Sequence, residues 1–295
     1  MRPSVRSSEG AQQRQSTVLS HILVASDLTD RSDRALARTL QLMHEPGRLT
    51  LLHVIASGLP SALAAEQQRF AESFLAGQLR RVLPEGAASY GSIVPIGCVF
   101  STIIAEAIAR AADLIVIGKP GHDPYADLFT GTTAERVIRF SDRPVLMVKQ
   151  PAREPYQRIL VAFDGSEGAL RAFQMALVIA PNAEFRVVHA WWPLHVSLGE
   201  IEAARQEIHD ANKRLKDLIA DAARQAVAAS GAAAQVTIDL VENNPYMVVS
   251  NQCSWADLLV MGTHSKGRLA STVSIGRLAT RLLIESPCDV LTSRP

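Results

Sequence analysis

The chain carries one plan twice. Ile22-Leu23-Val24-Ala25-Ser26-Asp27 returns as Ile159-Leu160-Val161-Ala162-Phe163-Asp164, and Ala112-Asp113-Leu114-Ile115-Val116-Ile117-Gly118 returns as Ala256-Asp257-Leu258-Leu259-Val260-Met261-Gly262. Between them, Leu52-His53-Val54 has a counterpart in Val188-His189-Ala190, in the same order. Self-similarity on this scale means two copies of one supersecondary unit, and it limits the chain to folds that can be built twice. The seam falls in Gln150-Pro151-Ala152-Arg153-Glu154-Pro155-Tyr156, where two prolines interrupt any periodic pattern. Two domains are expected, residues 18–150 and 157–295. Residues 1–17, rich in Ser, Gln and Arg with no apolar stretch behind the arginines, are expected to be a disordered arm and not a signal peptide.

Within each half, short β-branched runs alternate with longer segments of helical period. The strand candidates of the first half are residues 21–26, 49–55, 92–99, 113–118 and 144–149, near-continuous apolar runs of the kind found in parallel sheets covered on both faces. In the second half Leu170, Phe173, Ala176, Leu177 and Ala180 share a helical face, and residues 200–229 repeat apolar positions at Ile201, Ala204, Ile208, Ala211, Leu215, Leu218 and Ala222. The fold class is therefore α/β, two doubly wound parallel five-stranded sheets with helices on both faces. Periodicity does not fix the strand order. In the order 3-2-1-4-5, the ligand crevice lies between the first and fourth strands, beyond their carboxyl ends.

Asp27 ends the first strand, and the fourth runs through Ile117 into Gly118-Lys119-Pro120-Gly121, with Gly131-Thr132-Thr133 further on. Glycines expose bare N–H groups that can approach an anion, and a helix starting at Gly131-Thr132-Thr133, with Ala134, Val137 and Ile138 on its apolar face, would attract phosphate through its free amides and dipole. Asp27 suits a ribose hydroxyl or an adenine amino group. The same residues also suit plainer uses: glycines that only turn the chain, a Gly-Thr that only caps a helix, and Asp27 as a cap of the helix after it.

These motifs resemble those of the universal stress protein family, over nearly the whole chain after residue 17, in a tandem two-domain arrangement. The nucleotide signature of that family, G-x-x-G, nine residues, then G-[ST], is matched by Gly118, Gly121, Gly131 and Thr132. The resemblance implies ATP or another adenine nucleotide in the first domain. Ala25, Ser26, Asp27 and Val54 would lie at the base of the site, and Ile117, Gly118, Gly121, Gly131, Thr132 and Thr133 at ribose and phosphates. His122, Asp123 and Asp127 depart from the family's basic or neutral loop, and two carboxylates there would repel a triphosphate unless a metal ion, Mg, intervenes; Lys119 would offset part of their charge. In the second half Ser265 replaces the second glycine and Gly276-Arg277 stands one residue late, so weak or no ATP binding is expected there, with Lys266 and Arg277 open to some other anion. The resemblance also implies that the last strands of the two halves, Pro144 to Met147 and Asp289 to Thr292, pair edge to edge as a pseudo-dimer. That gives a pseudo-symmetric monomer or, with further association, a homodimer.

A formal net charge of +1 gives no phosphate-tracking surface, so nucleic acid is not an expected partner. No apolar run reaches the roughly 18 residues of a membrane helix. Cys98, Cys253 and Cys288 form no C-x-x-C pair, which suits a reducing compartment and places the chain in the cytoplasm. Cys98 and Cys253 read as buried small hydrophobes and Cys288 as the most exposed thiol. The histidines show no H-x-x-x-H spacing; His53 and His189 read as one structural role used twice, and no metal site is expected. Trp191-Trp192-Pro193 reads as a packing wedge. No P-loop, G-x-S-x-G or G-x-G-x-x-G is present. The expected function is a stress-response protein whose nucleotide occupancy governs conformation or an unknown protein partner. Its rivals are a slow ATP hydrolase, for which His122 and Asp123 are the polar candidates, and an interaction protein that no longer binds nucleotide.

Overall fold

The structure is a computed structural model that describes residues 19–43, 46–83, 89–121, 132–191, 207, 210, 211, 213, 214, 216–221, 224, 225, 228, 234–263 and 276–295. The first half runs β1 (His21–Ala25), α1 (Asp30–Leu42), β2 (Arg48–Leu52), β3 (Ile55–Ala56), α2 (Ser61–Val82), β4 (Tyr90–Ile93), β5 (Ile96–Gly97), α3 (Val99–Ala109), β6 (Leu114–Gly118), α4 (Thr133–Phe140) and β7 (Val145–Val148). The second repeats the scheme with β8 (Arg158–Ala162), α5 (Glu167–Ile179), β9 (Glu184–Trp191), β10 (Gln235–Glu242), α6 (Pro245–Gln252), β11 (Leu258–Gly262), α7 (Arg277–Glu285) and β12 (Asp289–Ser293).

Ten strands form one sheet in the order β10-β9-β8-β11-β12-β7-β6-β1-β2-β4. Each half supplies five parallel strands. The halves meet where β12 and β7 pair antiparallel, with Val290 opposite Met147, Leu291 opposite Leu146 and Thr292 opposite Val145. Each of these strands hides the edge the other would leave open. Side chains alternate across the pleat, so Ile22 and Val24 feed one apolar layer while Leu23 feeds the other. The first layer packs under α1, α2 and α5, the second under α3, α4, α6 and α7, and both run through the seam.

The repeated Ala-Asp-Leu strand starts have a structural reason. The Asp113 carboxylate accepts from the amides of Ser20 and His21, at 2.8 and 2.9 Å, and so ties the start of β6 to β1. Asp257 does the same for Gln157 and Arg158, at 3.1 and 3.0 Å. The histidines repeat as well: His53 Nδ1 donates to the Ser26 carbonyl at 2.8 Å and His189 Nδ1 to that of Phe163 at 2.7 Å, each fixing the residue before an aspartate.

Three local expectations need correction. The run at 92–99 is not one strand: Tyr90–Ile93 belongs to the large sheet, Ile96–Gly97 pairs with Ile55–Ala56 in a separate two-stranded sheet, and Val99 opens α3. Pro95 between them has no amide to donate to a ladder. Of the apolar positions at 200–229, Leu218 is exposed and its neighbour Ile219 is fully buried, so the inward face is turned by one residue; Ile201, Ala204, Ile208, Leu215 and Ala222 lie outside the described residues. Cys98 is the exposed thiol, and Cys253 and Cys288 are both buried. Residues 1–17, Trp192 and Pro193 also lie outside the described residues. Among those residues, no helix is long and apolar enough to cross a membrane, and no group of three or more His, Cys, Asp and Glu could hold a metal ion.

Candidate nucleotide site

Beyond the carboxyl ends of β1 and β6, where the connections leave the sheet in opposite directions, lies a cavity of about 400 Å³. It brings together Ala25, Ser26 and Asp27 from the end of β1, Ile117, Gly118 and Gly121 from β6 and the loop after it, and Thr132 and Thr133 at the start of α4. Val54 is not on its wall: it is buried in the apolar layer beside the cavity, packed with Leu23, Leu52 and Ile103. Gly131, His122, Asp123 and Asp127 lie outside the described residues.

Asp27 is held by its own neighbours. Its Oδ1 accepts from the Thr29 amide at 3.1 Å, the Thr29 hydroxyl at 2.6 Å and the Ser32 hydroxyl at 2.9 Å. Thr29, and not Asp27, is the N-cap of α1. Partial burial would raise the Asp27 pKa, but the hydrogen bonds from Thr29 and Ser32, with the Arg31 charge, outweigh burial and lower it. Oδ2 faces Arg31 Nη2 at 3.6 Å, with both side chains about half exposed. Leu28, between Asp27 and Thr29, has φ 61, a left-handed conformation that the second copy gives to Gly165 at φ 74. The turn in the first half therefore stores strain, of order 1 kcal/mol, beside the candidate carboxylate.

The glycines answer first to protein packing. A Cβ on Gly118 would meet the Arg31 carbonyl oxygen at 2.8 Å, and one on Gly121 would meet Arg31 Nη2 at 2.7 Å. The loop after β6 is bare because the first turn of α1 lies against it. The Lys119 amide is also spent, on the Val148 carbonyl at 2.9 Å.

At the start of α4, Thr132 closes a capping box. Its hydroxyl accepts from the Glu135 amide and its own amide donates to the Glu135 carboxylate, both at 3.2 Å. The T-x-x-E spacing that signals this is present in the sequence. Among the described residues no acceptor is bonded to the amides of Thr133 and Ala134, the next two along, and they head the helix dipole. Lys119 and Arg136, neither of which the signature identifies, also line the cavity; the Arg136 guanidinium rests over the Phe100 ring, 3.7 Å from its centroid. Val99, Ile103 and Val137 supply an apolar wall. The lining of the cavity thus combines a carboxylate with two cations and the first amides of a helix. In the second half the helix approaches the equivalent glycine in the same way: a Cβ on Gly262 would meet the Ala169 amide at 2.7 Å and the Ser166 hydroxyl, the N-cap of α5, at 3.0 Å. Ser265 and Lys266 lie outside the described residues.

Comparison with known proteins agrees with this plan. The sequence profile of the Universal stress protein family matches residues 19–149 and again 155–294. A universal stress protein of Thermus aquaticus is 31% identical over 143 residues, which is 47% of this chain and 99% of that protein. A universal stress protein from Archaeoglobus fulgidus superposes with a TM-score of 0.67 at 18% identity, covering 94% of this chain and 97% of its own. A putative universal stress protein from Pseudomonas aeruginosa gives 0.53 at 22%, covering 95% and 94%. At those identities the two structures speak for the fold, and the two profile matches for descent. The chain belongs to the universal stress protein family, as a member with two tandem domains.

Proposed function

We propose that the cavity of the first half binds an adenine nucleotide, ATP or a close relative, and that occupancy sets the conformation or partner choice of a stress-response protein. The observation that carries this reading is the polarity of one cavity. Asp27, pre-set by Thr29 and Ser32, offers Oδ2 to a ribose or adenine donor. The amides of Thr133 and Ala134, the Thr133 hydroxyl, Lys119 and Arg136 offer donors and positive charge to phosphates. The volume lies within the range of small-ligand sites. A magnesium ion accompanying the nucleotide would be held through its phosphates. The second half, where Ser265 and the late Gly276-Arg277 depart from the signature, is read as a scaffold that binds ATP weakly or not at all.

One observation favours a different reading. The Thr132 hydroxyl and amide are engaged with Glu135, as in a helix start that serves only the fold; this is the interaction protein without a ligand. Mass spectrometry of the denatured purified chain, followed by calorimetry with ATP, ADP and AMP, separates the two. A co-purified adenine nucleotide, or saturable binding lost on Asp27→Ala, supports the nucleotide reading; an empty chain that ignores all three nucleotides overturns it.

A further inference from the structure

A second cavity, of about 650 Å³, opens at the seam between the halves, and its wall includes Arg38, Glu154, Arg158, Cys253, Asp257 and Cys288. Cys253 is the C-cap of α6 and Cys288 directly precedes β12; they are 1% and 3% exposed. Their side chains lie in one apolar layer and on the wall of one cavity. Lys149, just beyond β7 and itself buried, donates from Nζ to the Ser286 carbonyl at 2.7 Å and the Ser286 hydroxyl at 2.8 Å, close enough for its charge to act on both sulfurs. Two cysteines that served only as packing would need neither an ammonium group nor a cavity beside them.

The pair is also polarised. The neighbouring Cys288 thiol, together with the Lys149 charge, outweighs burial and lowers the Cys253 pKa, while the Cys253 sulfur and burial push Cys288 far up. One sulfur is prepared to become a thiolate and the other to keep its proton.

We propose that Cys253 and Cys288 form a reversible disulfide on exposure to a hydroperoxide, fastening the end of α6 to the start of β12 at the seam. The Cys253 thiolate attacks one peroxide oxygen. The O–O bond breaks, an S–O bond forms, and the leaving hydroxide takes a proton and departs as water, leaving a sulfenic acid. The Cys288 sulfur then attacks the Cys253 sulfur. The S–S bond forms, the S–O bond breaks, and the thiol proton leaves with the hydroxyl as a second water. Two thiols and one hydrogen peroxide become one disulfide and two waters; a small dithiol reverses the change by exchange.

The test uses the full chain with Cys98→Ser, which removes the exposed thiol at a position whose side chain makes no cap bond to α3. One equivalent of hydrogen peroxide is added at neutral pH. Intact mass should fall by two hydrogens, both thiols should vanish together when titrated in denaturant, a non-reduced peptide should join residues 253 and 288, and dithiothreitol should restore the starting mass. Gain of oxygen without a cross-link, or two thiols still titratable after complete peroxide consumption, overturns the proposal. Cys288→Ser should stop at an oxygenated Cys253, and Cys253→Ser should slow peroxide consumption about tenfold or more; unchanged consumption by Cys253→Ser overturns the assignment. Should either serine variant fold poorly, Lys149→Met and Lys149→Arg carry the same question: the first should slow disulfide formation severalfold and the second should restore it, and equal rates in all three chains overturn the role of the ammonium group.

Discussion

The Arg31 guanidinium occupies the space a side chain on Gly121 would need, while the Arg31 backbone occupies the space one on Gly118 would need. These two glycines, equal in the signature, are therefore unequal in the protein. Gly118→Ala drives a methyl into a backbone carbonyl that cannot swing away and should cost about 1–3 kcal/mol, read as a lower urea midpoint. Gly121→Ala meets only the far end of a flexible side chain and should leave stability within about 0.5 kcal/mol. It should nonetheless move Arg31 off Asp27, which shows as a changed nucleotide affinity at unchanged stability.

Asp27→Asn keeps an oxygen for Thr29 and Ser32 and removes the negative charge that faces the cavity. Nucleotide affinity should fall about tenfold or more, since a hydrogen bond to a charged group contributes about 1.5–3 kcal/mol. The pH dependence has a definite sign. The folded-state pKa of Asp27 lies below the ordinary 3.8, so the stability this carboxylate contributes is complete above that value and is lost as pH falls through the folded-state pKa. Acid unfolding of Asp27→Asn should be correspondingly flatter below pH ~4 in fluorescence-monitored titrations.

What could be read from sequence, and what could not, follows from how local each signal is. Asp27, Gly118, Gly121 and Thr132 stand at the ends of strongly periodic elements, so their position at one end of the sheet is legible in the sequence. Arg31 was not: its contact with the glycine loop joins segments far apart in the chain, and nothing in Thr29-Asp30-Arg31-Ser32 marks which side chain turns toward β6. The Thr132–Glu135 box is legible too, since the Gly-Thr start is also a plain helix cap and T-x-x-E names its partner. The Cys253–Cys288 pair was invisible for the same reason as Arg31, since spacing rules register only cysteines close in sequence. At Leu218 and Ile219 the alanine-rich surroundings carry too little apolar contrast to fix a helical face to within one residue.

The seam rests on Asp289, which is fully buried. Its Oδ1 accepts from the amides of Lys149 and Gln150 at 2.7 and 2.9 Å, and its Oδ2 accepts from the Tyr156 hydroxyl at 2.6 Å and lies 3.5 Å from Arg38 Nε. Arg38 in turn stacks on the Tyr156 ring, 4.1 Å from its centroid, and donates to the Glu154 carbonyl at 2.7 Å. Asp289→Ala strands a buried guanidinium, two amides and a hydroxyl, and should cost about 3–5 kcal/mol in denaturant unfolding. Leu291→Ala, which leaves no polar group unpaired, should cost about 2–5 kcal/mol through its cavity alone.

Lys149 makes the same region sensitive to alkali. Burial, the largest influence, brings its pKa from 10.5 down to about 8, against the opposing pull of Cys288, Cys253 and Asp289. Below pH 8 the folded chain must hold an ammonium ion in a poorly solvated place. Between about 8 and 10.5 the folded state has released that proton and the unfolded state still holds it, so this group makes stability rise with pH, by about 3 kcal/mol across the window. Lys149→Met removes the titration and should show no such rise. Urea midpoints measured from pH 7.5 to 9.5 should therefore climb in the parent relative to the variant, by roughly 2 kcal/mol over those two units. Parallel curves would mean that the amino group is solvated well enough to keep its ordinary pKa, and with it would go the electrostatic case for a thiolate at Cys253.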